Sequence, residues 1–139
     1  MRTRWFVPAL VLMSGCVMLS DPSTPVTSAI EVVRLNTRDE IAEWPDGPEV
    51  SGGGALTVRG KMLAECGAEP RVSAERKGAQ LSIVVRNVLV NRGAGCFAVI
   101  SYHAYRVTIG SLEAGSYQVR VRVQVASGTT TSDHSAQLR

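Results

Sequence analysis

From Ser116 to Val125 the chain alternates without a slip. Tyr117, Val119, Val121, Val123 and Val125 fall on one side, and Ser116, Gln118, Arg120, Arg122 and Gln124 on the other. Period-two alternation of β-branched residues specifies a strand with one buried face and one wet face. A strand of this kind needs a second layer to cover its valines, so it limits the chain to sheet-based architectures.

The rest of the sequence continues the pattern. Ile30–Leu35 reads as a first strand. Leu56, Val58 and Met62 alternate with Thr57, Arg59 and Lys61. Val72 and Ala74 alternate with Arg71, Ser73 and Glu75, and Lys77-Gly78 signals a tight hairpin before Leu81, Ile83 and Val85. Tyr105, Val107 and Ile109 face inward on a strand running from Phe97. A turn at Ser127-Gly128 leads to a terminal strand. Seven strands with turn signals every 8–12 residues predict an all-β, antiparallel sandwich. Between them, Asn36–Glu49 is acidic. A helical turn is expected near Thr37, with Asp39 and Glu40 in its first turn and Pro45 ending it. Ser51-Gly52-Gly53-Gly54 reads as a flexible break.

The first residues form an address. Arg2 and Arg4 precede an apolar run from Trp5 to Met13, then Ser14-Gly15-Cys16. This is the layout of a secretory signal. The run falls short of the roughly 20 apolar residues that span a bilayer. Leu12-Met13-Ser14-Gly15-Cys16 resembles a bacterial lipobox, with Met13 where the family prefers Leu. The resemblance implies removal of residues 1–15 and lipidation of Cys16. Residues 16–29 would then be a tether rich in Pro, Ser and Thr, and residues 30–139 the folded domain. Position two of the lipidated chain is Val17, not the Asp that resembles an inner-membrane retention signal. An outer-membrane lipoprotein facing the periplasm is therefore expected, held to the membrane by its acyl chains.

Leu112-x-x-Gly115-x-Tyr117 before the alternating valines resembles the corner of immunoglobulin-like, fibronectin type III-like and transthyretin-like sandwiches. The resemblance implies a Greek-key, immunoglobulin-like fold in which the Tyr117 hydroxyl bonds back to the backbone near Leu112 or Glu113. Cys66 and Cys96 lie 30 positions apart. In an exported chain they are expected to form a disulfide, worth about 3–4 kcal/mol by chain entropy.

Chemistry is sparse. Without Arg2 and Arg4, 13 basic residues face 12 acidic ones. The basic residues are scattered and have no aromatic interleaving, so nucleic acid is not an expected partner. No hydrolase elbow, zinc motif or phosphate loop is present, and no catalytic residue, metal site or cofactor is assigned. His103 reads as a packed inward histidine. Ser132-Asp133-His134 has the residue types of a triad, but neighbours in a strand point to opposite faces. Arg59, Lys61, Arg86 and Arg106 take outward positions on successive strands. If those strands are neighbours, they form one basic sheet face that would meet anionic headgroups or an acidic partner. Trp44 is a candidate partner anchor or a cover for the core. The expected function is a non-catalytic, lipid-anchored binding or structural module with a protein or envelope partner. The alternative is an inhibitor of an exported hydrolase, acting through Asn36–Gly54 or Asn91–Gly95.

Overall fold

The computed structural model describes residues 23–65, 67–89 and 100–139. Nine strands and one helix lie among them: β1 Thr24–Pro25, β2 Ser28–Leu35, α1 Arg38–Glu43, β3 Glu49–Ser51, β4 Leu56–Ala64, β5 Glu69–Lys77, β6 Gln80–Val88, β7 Ser101–Ile109, β8 Gly115–Val125 and β9 Gly128–Leu138. They form two sheets, one of five strands ordered β1-β5-β6-β8-β9 and one of four ordered β2-β7-β4-β3. The sheets stack with β2 over β5, β4 over β8 and β3 over β9.

Alternation explains the layering. Leu56, Val58, Leu81, Ile83, Val85, Val107, Ile109, Val119 and Val121 are all buried between the sheets. Each withdraws its side chain from water for roughly 1.5–3 kcal/mol. Tyr105 is the largest fully buried side chain, and its ring lies against Gly60 directly opposite on β4. A Cβ at Gly60 would fall on the Tyr105 hydroxyl, so this inward position has room only for glycine. Gly52 is required for a similar reason. A Cβ there would strike the backbone carbonyl of Gln137, so this glycine allows a close approach to β9 that its expected role as a flexible break did not include.

Two features correct the expectation of seven antiparallel strands. β1 and β3 are additional, and strand pairing reaches back into the expected tether, with Thr24 opposite Arg76. β6 and β8 pair in parallel, Leu81 opposite Val119 and Ile83 opposite Val121. The physical reason is the path of β7. The chain reverses from β6 to β7 and again from β7 to β8, while β7 lies in the other sheet. Two reversals return β8 to the direction of β6.

Local chemistry sets the helix. Thr37 caps α1, its Oγ1 accepting from the Glu40 amide at 3.2 Å while Glu40 Oε2 accepts from the Thr37 amide at 3.1 Å. The Asn36 amide donates to the same Oε2 at 2.7 Å. These backbone donors hold the Glu40 carboxyl below its ordinary range. At the other expected corner, Tyr117 is buried and its hydroxyl donates to the Glu113 carbonyl at 3.0 Å.

Candidate functional site: two unlike outer faces

On the outer side of the four-stranded sheet one row crosses all four strands: Glu31, Arg106, Arg59, Glu49. Two adjacent arginines are bracketed by two carboxylates. Arg59 reaches Glu49 at 2.9 Å and Arg106 reaches Glu31 at 3.3 Å. Lys61 is bound more tightly still. Its side chain is only 11% exposed, and its Nζ meets Asp46 at 2.9 Å and donates to the Ile41 carbonyl at 2.8 Å. The Lys61 amide donates to the Pro45 carbonyl at 3.2 Å. Trp44, the C-cap of α1, lies half-buried with the Arg106 guanidinium 5.3 Å from its ring centre. The acidic stretch is thus laid along its own sheet. Glu40 caps the helix, while Asp46 and Glu49 each hold a cation.

The expected single basic face therefore does not form. Arg59, Lys61 and Arg106 share one sheet, each beside a carboxylate, and Arg86 belongs to the other. Alternation told which way each side chain leaves its own sheet, and both sheets of a sandwich have an outward side.

Arg86 keeps different company. On the outer face of the five-stranded sheet it stands directly opposite Arg71 on β5 and Gln124 on β8. The next row holds Ser73, Val84, Arg122 and Thr131. Arg71, Arg86 and Arg122 are all exposed. Among the described residues Arg86 and Arg122 form no ion pair, and Arg71 has only Glu69 at 3.9 Å. The following row is balanced: Glu75, Ser82, then Arg120 bound to Asp133 at 2.7 Å and 3.3 Å. The Arg120 hydrogen bond holds the Asp133 carboxyl below its ordinary range. Arg71, Arg86 and Arg122 thus cluster at one end of this face, while Lys77, exposed and without an ion pair among the described residues, stands alone at the other.

Both histidines point inward near open margins. His103 lines a cleft of about 470 Å³ together with Val32, Arg34, Ala68 and Pro70. Burial, and then Arg34, push its pKa down, and no described residue partners its Nδ1. His134 Nε2 sits 2.9 Å from Ser132 Oγ, while Asp133 points to the opposite face and binds Arg120. Alternation thus separates the three triad-like residues. Cys16, Cys66, Cys96 and the Asn91–Gly95 loop lie outside the described residues.

The layers and strand pairing define a two-sheet β-sandwich. A family model described as the ORF11 beta-sandwich domain matches residues 56–132, from the start of β4 into β9. The match spans more than half of the 139 residues, and the chain belongs to this family. No curated protein and no solved structure matches.

Proposed function

We propose that this protein is a lipid-anchored, non-catalytic binding module of the bacterial cell envelope, held by Cys16 in the outer membrane and facing the periplasm. Its binding body is an immunoglobulin-like Greek key. One observation carries the binding reading: the chain neutralises Arg59, Lys61 and Arg106 on one sheet face with its own carboxylates and, among the described residues, leaves Arg86 and Arg122 on the other face without any. Arginines left in this way are available to an anionic partner. The Tyr117–Glu113 corner supports the finer fold class, as does the N-terminal passage from β1 in one sheet to β2 in the other.

A Cys66–Cys96 disulfide belongs to the same reading. Ala64 pairs with Ser101, so the strand leading to Cys66 ends beside the strand that follows Cys96. Asn87 on β6 donates to the Leu63 carbonyl at 2.8 Å, which brings the third flank to the same end of the sandwich.

Mass spectrometry of membrane-extracted protein, digested without reductant, tests both bonds. The expected result is a mature N-terminus at an acylated Cys16 and a linked Cys66–Cys96 peptide pair. A mature chain beginning elsewhere, or a Cys16→Ser variant that stays equally membrane-bound, overturns the anchor. Two free thiols overturn the disulfide.

A further inference from the structure

We infer that Arg71, Arg86 and Arg122 form a flat docking patch for the phosphate-bearing headgroups of an anionic lipid bilayer, an inference that rests on the anchored reading above. The three arginines sit on adjacent strands β5, β6 and β8, with Arg71 and Arg86 directly opposite and Arg122 one row further along. Strands are spaced about 4.8 Å apart, so the three Cα positions fall within roughly 10–12 Å of one another. Among the neighbouring outward positions Ser73, Gln124, Thr129 and Thr131 carry hydrogen-bonding side chains, and Glu69, 3.9 Å from Arg71, is the one carboxylate beside the three. Beyond the described residues only Asp21 carries a side-chain carboxylate, so little else in the chain can cancel this charge.

Planarity and composition favour a bilayer over a protein. Guanidinium groups bind phosphate oxygens through paired donors, and a planar array suits a planar sheet of headgroups. A tight protein interface is centred on buried aromatic or aliphatic anchors. No described aromatic residue lies on this face, and its apolar members Val84 and Val88 are already half-buried.

The tether supplies the geometry. It enters at the edge of this same sheet, where Thr24 pairs with Arg76 on β5. Arg71 lies five positions along β5 from that point, about 17 Å at strand rise. Cys16 is eight positions before Thr24, a reach of at most about 29 Å. A domain tied to the bilayer by that length can lay the five-stranded sheet against it. Anchoring keeps the patch near the surface, so three weak contacts suffice to orient the domain. The four-stranded face, neutralised by its own carboxylates, is then left to the periplasm.

The test uses the chain from position 16 with Cys16→Ser, which retains every described residue. It is sedimented with vesicles of phosphatidylethanolamine and phosphatidylglycerol, or of phosphatidylcholine alone. Binding is expected to the anionic vesicles only and is expected to fall as salt rises. The double variant Arg86→Gln/Arg122→Gln is expected to weaken it by about thirtyfold. The charge-matched double Arg38→Gln/Arg139→Gln is expected to leave it unchanged. No binding at low salt overturns the inference, as does equal weakening by both doubles, which would reflect net charge alone. An acidic protein that takes the patch while vesicles are ignored also overturns it. Acylation of Cys16 is read independently, so failure of the patch is distinguishable from failure of the anchor.

Discussion

Two tyrosines in one core stand in opposite chemical situations. Tyr117 donates to the Glu113 carbonyl, while the Tyr105 hydroxyl is buried with no partner among the described residues. Removing a hydroxyl from a satisfied pair strands an acceptor, whereas removing an unsatisfied one relieves a desolvated group. Tyr117→Phe is therefore expected to lower the unfolding free energy by about 1–2 kcal/mol, and Tyr105→Phe to raise it by about 1 kcal/mol. Denaturant titration checks both signs. Burial also pushes the Tyr105 phenol up to about 12. The folded state favours the protonated form, so this contribution is intact below pH of about 10, the unfolded value, and is lost as pH climbs towards the folded one. The alkaline loss of stability over that window is expected to be shallower in Tyr105→Phe. An unchanged alkaline limb would assign it to other groups. The Tyr117 corner was readable from Leu112-x-x-Gly115-x-Tyr117. The Gly60–Tyr105 contact was not, because it depends on the cross-strand register, which alternation alone leaves open.

Among the elements, β2 is exceptional. Ile30 and Val32 point inward, opposite Val107 and Tyr105, yet they are 45% and 36% exposed. Val33 is exposed on the other side. This eight-residue strand ends its sheet with one edge of amides and carbonyls unpaired within the described chain. The other three outermost strands differ. β1 and β3 are very short, and β9 is largely polar. Long apolar edges template association with other chains, and a lysine blunts them. Ile30→Lys is expected to reduce concentration-dependent light scattering with little change in unfolding midpoint. A large fall in midpoint would mean that Ile30 belongs to the core. Sequence patterning found β2 and the other long strands, with β9 placed by the turn before it, and the first-turn acids after Thr37 placed α1. It missed β1 and β3 because two or three residues carry too little alternation to register.

At the scale of the whole molecule, charge is sorted between two surfaces that look alike in the sequence. Arg59 and Arg86 occupy equivalent outward positions in their own strands and end on opposite sides of the sandwich. Period-two patterning fixes the side of a strand, not the sheet it joins, and no local signal announced that β7 crosses over between β6 and β8. For the same reason the parallel joint went unseen, since a half-buried strand alternates in the same way whatever the direction of its neighbour. That joint also governs how the chain reaches its native state. The β5–β6 and β8–β9 hairpins close through turns of two residues, at Gly78-Ala79 and Ala126-Ser127. Such local closures take about microseconds. The five-stranded sheet stays in two halves until residues 38 positions apart, Gln80 and Gln118, come into register. Loop closure over that distance must precede any reward from the contact, so the joint is the slow, late event of folding. Until it closes, β6 and β8 each present an open edge, which makes the folding chain most vulnerable to mispairing along the seam that later forms the middle of its larger sheet.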